Sequence, residues 1–259
     1  MRKWRPTHKC IYVIPEVRGD MRALEVILNR VLPLRIFKNQ EDVLVMMGGY
    51  IDGGEESDKV VDCLINIKEQ YKDRVIMLRG SNEELLLRAR NSDHDFAYWA
   101  DNGGVATIGS YIKRINLNAN PYSIKKNRLQ DIIPPRHWEF FNSLDYSSIL
   151  EGYCFFHGGF NPSKLISENS SSNFMFDYTS SKYIKECTKN KKDPIFLDDY
   201  IYVGHHNYND DRPFIHPRYF MLGGAAPQKL MVFELNSMSA CAVTKGKSRI
   251  YKYDFNIHE

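Results

Sequence analysis

The chain of 259 residues is 43% hydrophobic and 26% charged, enough apolar material to close a sizeable core, which excludes a disordered or collagen-like polypeptide. Its 35 Lys and Arg against 32 Asp and Glu leave a formal charge of +3, too even a balance for counterion release to drive nucleic-acid binding. Five scattered cysteines, Cys10, Cys63, Cys154, Cys187 and Cys241, form no C-x-x-C pair, so neither a disulfide framework nor a zinc ribbon is written here and a reducing compartment is expected.

The first apolar run, Cys10 to Ile14, stops at Pro15 and Glu16 and is too short for the core of a signal peptide. No stretch approaches the ~20 consecutive apolar residues of a membrane-spanning helix, so no membrane partner is expected. The run reads as a strand, and after Gly19 the residues Leu24, Ile27, Leu28 and Val31 recur at helical spacing. The pattern repeats. Val43 to Met47 leads into a glycine-rich loop, with Ser57 placed to cap a helix carrying Val60, Leu64 and Ile67 on one face. Arg74 to Leu78 leads into the loop Gly80-Ser81-Asn82 and a leucine-rich helix from Glu83. Three strand-loop-helix units predict an α/β fold whose site lies at the carboxyl ends of the strands.

Residues 93–145 are predicted helical, with Trp99, Trp138, Phe140 and Phe141 among their aromatic anchors. Beyond Ile149, strands are predicted at Tyr153 to Phe156, Tyr200 to Val203, Tyr219 to Leu222, Leu230 to Phe233 and Ala240 to Val243. The serine- and asparagine-rich segment 163–172 reads as a surface loop, and Lys189 to Asp193 as a charged turn. No repeat or domain boundary interrupts the chain, so one domain over 1–259 is expected.

Each glycine-rich turn directly follows a strand, and two later strands end in histidine beside glycine: His157-Gly158-Gly159 and Gly204-His205. With Pro15 to Gly19, Gly48 to Gly54 and Gly80 to Glu83, these segments follow the order G-D-x-H-G, G-D-x-x-D-R-G, G-N-H-E, H-G-G, G-H. That order resembles the calcineurin-like metallophosphoesterases, specifically the serine/threonine phosphoprotein phosphatase family in its compact bacterial and phage form. Tyr98 to Gly104, Phe176-Asp177-Tyr178 and Leu222 to Ala225 resemble connecting features of the same family. The resemblance implies two facing mixed β-sheets flanked by helices, an α+β arrangement in four layers.

The resemblance also implies a two-metal site in which a bridging aspartate and a metal-activated water attack phosphorus. Here the first metal's aspartate and histidine correspond to Glu16 and Arg18, the bridging aspartate to Gly49, the asparagine ligand to Ser81 and the general-acid histidine to Asn82. Only His157 and His205 keep their ligand type. The phosphate-clamping arginines correspond to Gly53 and Tyr178. Asp52 and Glu83 remain as supports behind the site.

The expectation is therefore a vestigial site with no catalytic residue and no bound metal. The alternative is one divalent transition metal on His157, His205 and Glu16, with His206 as a further candidate ligand. The retained acids next to a lost cation site predict that Arg18 pairs with Glu16, Asp52 or Glu83. Capture of a phosphorylated ligand without turnover would require Arg18 to face an open cleft. The function expected is structural or regulatory binding to protein partners, in the cytoplasm or in a virion. The divergent alternative is a single-metal phosphoesterase.

Overall fold

The computed structural model describes residues 10–31, 41–205, 213–223, 229–244 and 247–251. His206, Gly224 and Ala225 lie outside the described residues. In the first half, β1 (Ile11–Ile14), β2 (Val43–Met46) and β3 (Val75–Met77) alternate with α1 (Met21–Val26), α2 (Ser57–Tyr71) and α3 (Ser81–Ala89). Six further described α-helices fill the middle and the start of the second half. These are α4 (Asp93–Trp99), α5 (Val105–Arg114), α6 (Leu129–Ile132), α7 (Pro135–Ser143) and α8 (Ser171–Phe176), followed by α9 (Thr179–Lys189). The remaining strands are β4 (Ser147–Leu150), β5 (Tyr153–Phe156), β6 (Ile201–His205), β7 (Phe214–His216), β8 (Tyr219–Leu222), β9 (Lys229–Glu234), β10 (Ser239–Thr244) and β11 (Lys247–Tyr251).

The strands form two mixed sheets, six-stranded β11-β10-β9-β1-β2-β3 and five-stranded β4-β5-β6-β8-β7. β1, β2 and β3 pair in parallel, as do β5, β6 and β8, and antiparallel strands close every edge except that of β3. The alternation of side chains along each strand explains the layering. Ile11 and Val13 of β1 join Val45, Phe155, Val203 and Phe220 in the core between the sheets. Tyr12 and Ile14 point the other way, into the core under the first-half helices with Leu24, Leu64 and Trp99. On the far face of the second sheet, Phe156, Tyr202 and Met221 pack with Phe174 of α8 and Ile184 of α9. Helix, sheet, sheet, helix is the four-layer arrangement expected, and each buried aliphatic or aromatic side chain contributes about 1.5–3 kcal/mol to it.

Three local expectations are corrected. Segment 163–172 is not wholly loop: Ser170 accepts from the Asn173 backbone N–H at 3.3 Å and caps α8, so its serines and asparagines start a helix. The edge strands β4, β7 and β11 fall outside the expected strands; β4 and β7 are only four and three residues long. Ser57 is not the cap of α2; that position is Glu56, and the Ser57 hydroxyl sits 3.2 Å from Thr107 Oγ1 in the interior.

Candidate functional site

The loops after β1, β2, β3 and β5 and the carboxyl end of β6 meet at one end of the two sheets, the usual place for a site in parallel α/β sheets. They bring together all nine residues singled out in the sequence: Glu16, Arg18, Gly49, Asp52, Ser81, Asn82, Glu83, His157 and His205. The joints between these loops are specific hydrogen bonds. Glu83 accepts from the backbone N–H groups of Tyr50 (2.7 Å), Gly49 (2.9 Å) and Gly80 (2.9 Å), tying the β2 loop to the β3 loop. Burial pushes its carboxyl up to about 7, although those N–H donors pull the other way.

Asp52 is held in a left-handed conformation, φ 69°, with its carboxylate turned inward. It accepts from Thr107 Oγ1 (2.6 Å), Asn82 Nδ2 (2.9 Å) and Trp99 Nε1 (3.1 Å). Burial again dominates and raises its pKa to about 6, partly offset by these donors. Thr107 and Trp99 were not singled out for this role by sequence reasoning; the Trp99 to Gly104 turn was the available signal. The Asn82 amide fills the donor position that the resemblance gives to an acid histidine, and an amide transfers no proton near neutral pH.

The innermost cluster is Glu16, His157 and His205, exposed by only 3%, 1% and 1%. Each imidazole donates Nδ1–H to a backbone carbonyl, His157 to Met47 O (2.9 Å) and His205 to Leu222 O (3.0 Å), which turns its Nε2 towards the site. Glu16 Oε1 lies 3.5 Å from His205 Nε2 and 3.8 Å from His157 Nε2. Burial pushes His157 down to about 4. Burial acts to raise the Glu16 carboxyl, but the facing imidazoles and the Arg18 charge outweigh it and leave it below the ordinary range. Ser81 Oγ is 3.4 Å from His157 Nε2.

Gly49 explains why Glu16 fits there. A Cβ added at this glycine would lie 2.7 Å from Glu16 Cγ and 3.0 Å from Oε1. The longer side chain at position 16 has taken the space that a ligand-bearing side chain at position 49 would occupy.

Arg18 does not pair as expected: none of the Glu16, Asp52 and Glu83 carboxylates is within ion-pairing distance of its guanidinium. The reason is local. Arg18 adopts φ 52°, its N–H donates to Gly49 O (2.8 Å) and its carbonyl accepts from Gly54 N–H (2.7 Å), which aims the side chain along Gly53 into a cleft. The three carboxylates already have other partners.

The two metal ions implied by the resemblance do not fit these residues. Gly49 offers no ligand atom, Arg18 brings a cation to the first position, and Glu16 fills the space between. Among the described residues, no three or more His, Cys, Asp or Glu side chains form a ready cage for an ion. Glu16, His157 and His205 come nearest, and they contact one another instead of surrounding a void. Their Glu16 Oε2 and His205 Nε2 are nonetheless buried without a hydrogen-bond partner.

The calcineurin-like phosphoesterase family model matches residues 7–230. A putative serine/threonine-protein phosphatase of Caenorhabditis elegans, C06A1.3, is 35% identical over 68 residues, which is 26% of this chain and 18% of that protein's length. Among solved structures, a putative diadenosine tetraphosphatase aligns over 96% of this chain and 97% of its own at 14% identity, TM-score 0.52. The I115M mutant of a cold-active protein tyrosine phosphatase aligns over 96% and 82% at 13% identity, TM-score 0.57. At such identities the two structures establish likeness of fold alone. No described helix is long and apolar enough to cross a membrane. With the family match spanning most of its length and the motif loops gathered at one sheet end, the chain belongs to the calcineurin-like phosphoesterases.

Proposed function

We propose that this chain is a pseudophosphatase, a phosphoesterase fold that no longer hydrolyses and acts as a structural or regulatory binding protein. The observation that carries this reading is the Glu16 side chain, packed against Gly49 and facing His157 and His205 at 3.8 and 3.5 Å. It stands where the bridging ligand and nucleophilic water of a working site would have to be. Asn82 in place of an acid, and glycine and tyrosine at positions 53 and 178 in place of the clamps, remove proton transfer and phosphate grip as well. A protein partner, in the cytoplasm or in a virion, is the target this reading assigns.

Hydrolysis of an aryl phosphate with added manganese tests it, comparing wild type with a His157→Ala, His205→Ala double variant. Equal background rates are expected. Turnover that scales with wild-type concentration and vanishes in the double variant would overturn the reading.

A second reading rests on the partnerless Glu16 Oε2 and His205 Nε2. Both imidazoles are oriented by carbonyls through Nδ1, as metal-bound histidines commonly are. One transition ion that parted Glu16 from the two rings would satisfy both atoms, and the chain would then be a single-metal phosphoesterase.

A further inference from the structure

Outside the loops of the candidate site, α2, α5 and α7 meet around a second cluster of titratable side chains. At its centre is His137 of α7, a buried imidazole with both nitrogens engaged. Its Nε2 lies 2.9 Å from Asp62 Oδ1 of α2, and its Nδ1 lies 2.7 Å from the Tyr111 hydroxyl of α5. Arg114 of α5 pairs with Asp62 and reaches Asp58 at 3.7 Å, and Asp58 in turn accepts from Ser110 Oγ. The charged and titratable groups that face the ring are therefore Asp58 and Asp62 from α2, and Tyr111 and Arg114 from α5. On α7 itself, Arg136 is engaged by Glu69 of α2 at 2.9 Å.

One proton sets the direction of this chain of bonds. Burial acts to raise the Asp62 carboxyl, but hydrogen bonds from Arg114 and His137 outweigh it and hold it below the ordinary range. Burial keeps the Tyr111 phenol well above its own. An ionised carboxylate only accepts, so Nε2 carries the hydrogen of the neutral ring and Nδ1 accepts from the Tyr111 O–H. A proton added at Nδ1 would set two donors face to face. The Tyr111 hydroxyl would have to turn its hydrogen away, and no other described group accepts it. The new charge would also meet Arg114, already seated on Asp62. Burial accordingly pushes His137 below its ordinary value, with Asp62 opposing. Its contribution to stability is full above the unfolded pKa of about 6.5 and is lost as pH falls below it.

Helix α7 also bears on the candidate site. The Phe140 ring packs against Tyr50, centroids 5.9 Å apart, and Tyr50 secures the β2 loop by donating its hydroxyl to Leu78 O (2.7 Å) and its N–H to Glu83 (2.7 Å). We propose that His137 is a proton-operated latch. Neutral, it fastens α7 to α2 and α5 and keeps the β2 loop in place; protonated, it releases α7 and loosens that loop. The latch goes beyond the non-hydrolytic reading and does not depend on it.

Hydrogen exchange of the full chain at pH 7.5 and 5.5, read by mass spectrometry and corrected for the chemical exchange rate, tests the latch. Peptides over 135–143 and 47–54 should lose protection severalfold at the lower pH, with about tenfold as the ceiling for one proton. The peptide over β5 should change less. His137→Gln stays neutral at every pH and keeps a donor and an acceptor, so it should flatten the dependence. Tyr111→Phe removes the hydroxyl that a protonated ring would strand, so it should weaken the dependence and raise the His137 pKa read by NMR. Asp52 and Glu83 cannot mimic the effect: burial raises both carboxyls, so they tighten the folded chain as pH falls. Should His137→Gln fail to fold, Tyr111→Phe carries the comparison. Equal protection of 135–143 at both pH values, a dependence that persists undiminished in either variant, or a His137 pKa that does not rise in Tyr111→Phe would overturn the latch and leave the non-hydrolytic reading standing.

Discussion

Glu16 and Gly49 share one volume: a Cβ at Gly49 would come within 2.7 Å of Glu16 Cγ, and the glycine's φ of 63° already disfavours any side chain there. Gly49→Ala should therefore cost about 2–4 kcal/mol, combining left-handed backbone strain with overpacking. Shortening the neighbour should return the overpacking part. In a double-mutant cycle with Glu16→Ala, urea unfolding should show Gly49→Ala costing at least ~1 kcal/mol less than in the wild-type background. Simple additivity would mean that the two positions do not compete for space.

Glu83 holds two site loops by accepting from Gly49, Tyr50 and Gly80. Glu83→Gln keeps the shape but turns one acceptor oxygen into a donor, stranding buried N–H groups. The expected loss is roughly 2–4 kcal/mol, read as a lower urea midpoint. A change below about 0.5 kcal/mol would show that the loops hold together without the carboxylate.

Asp52 carries a testable pH signature. Its folded pKa of about 6 lies above the ordinary carboxylate value because of burial, so its contribution to stability is fully present below the unfolded pKa and is lost as pH rises through about 6. Asn at this position stays neutral, suits the left-handed backbone and keeps an acceptor for Asn82 and Trp99. Relative to wild type, Asp52→Asn should gain on the order of 2–3 kcal/mol between pH 4 and pH 8. A difference that does not change with pH, or that moves the other way, would refute the raised pKa.

Much of this was legible in the chain itself. Apolar runs such as Val43 to Met47, each followed by a glycine turn, announced the parallel strands, and the ordered loops placed Glu16, Asp52, Glu83, His157 and His205 at one sheet end. Two kinds of information were hidden. Helices α8 and α9 pack against the second sheet through a few buried residues such as Phe174 and Ile184, and their serine- and lysine-rich surfaces masked the helical period. The occupation of Gly49's space by Glu16 joins residues 33 positions apart, which no local pattern reports. Arg18 shows the same limit: charge arguments assigned it a carboxylate, whereas backbone hydrogen bonds with Gly49 and Gly54 of the β2 loop turn it towards the cleft.

Whether a two-metal centre survives is decided by elemental analysis of purified wild-type protein after growth and dialysis with manganese. The carboxylate of Glu16 facing His157 and His205 beside a ligand-free Gly49 predicts no pair of tightly held metal ions. Two equivalents per chain, retained through dialysis and lost in the His157→Ala, His205→Ala variant, would contradict it.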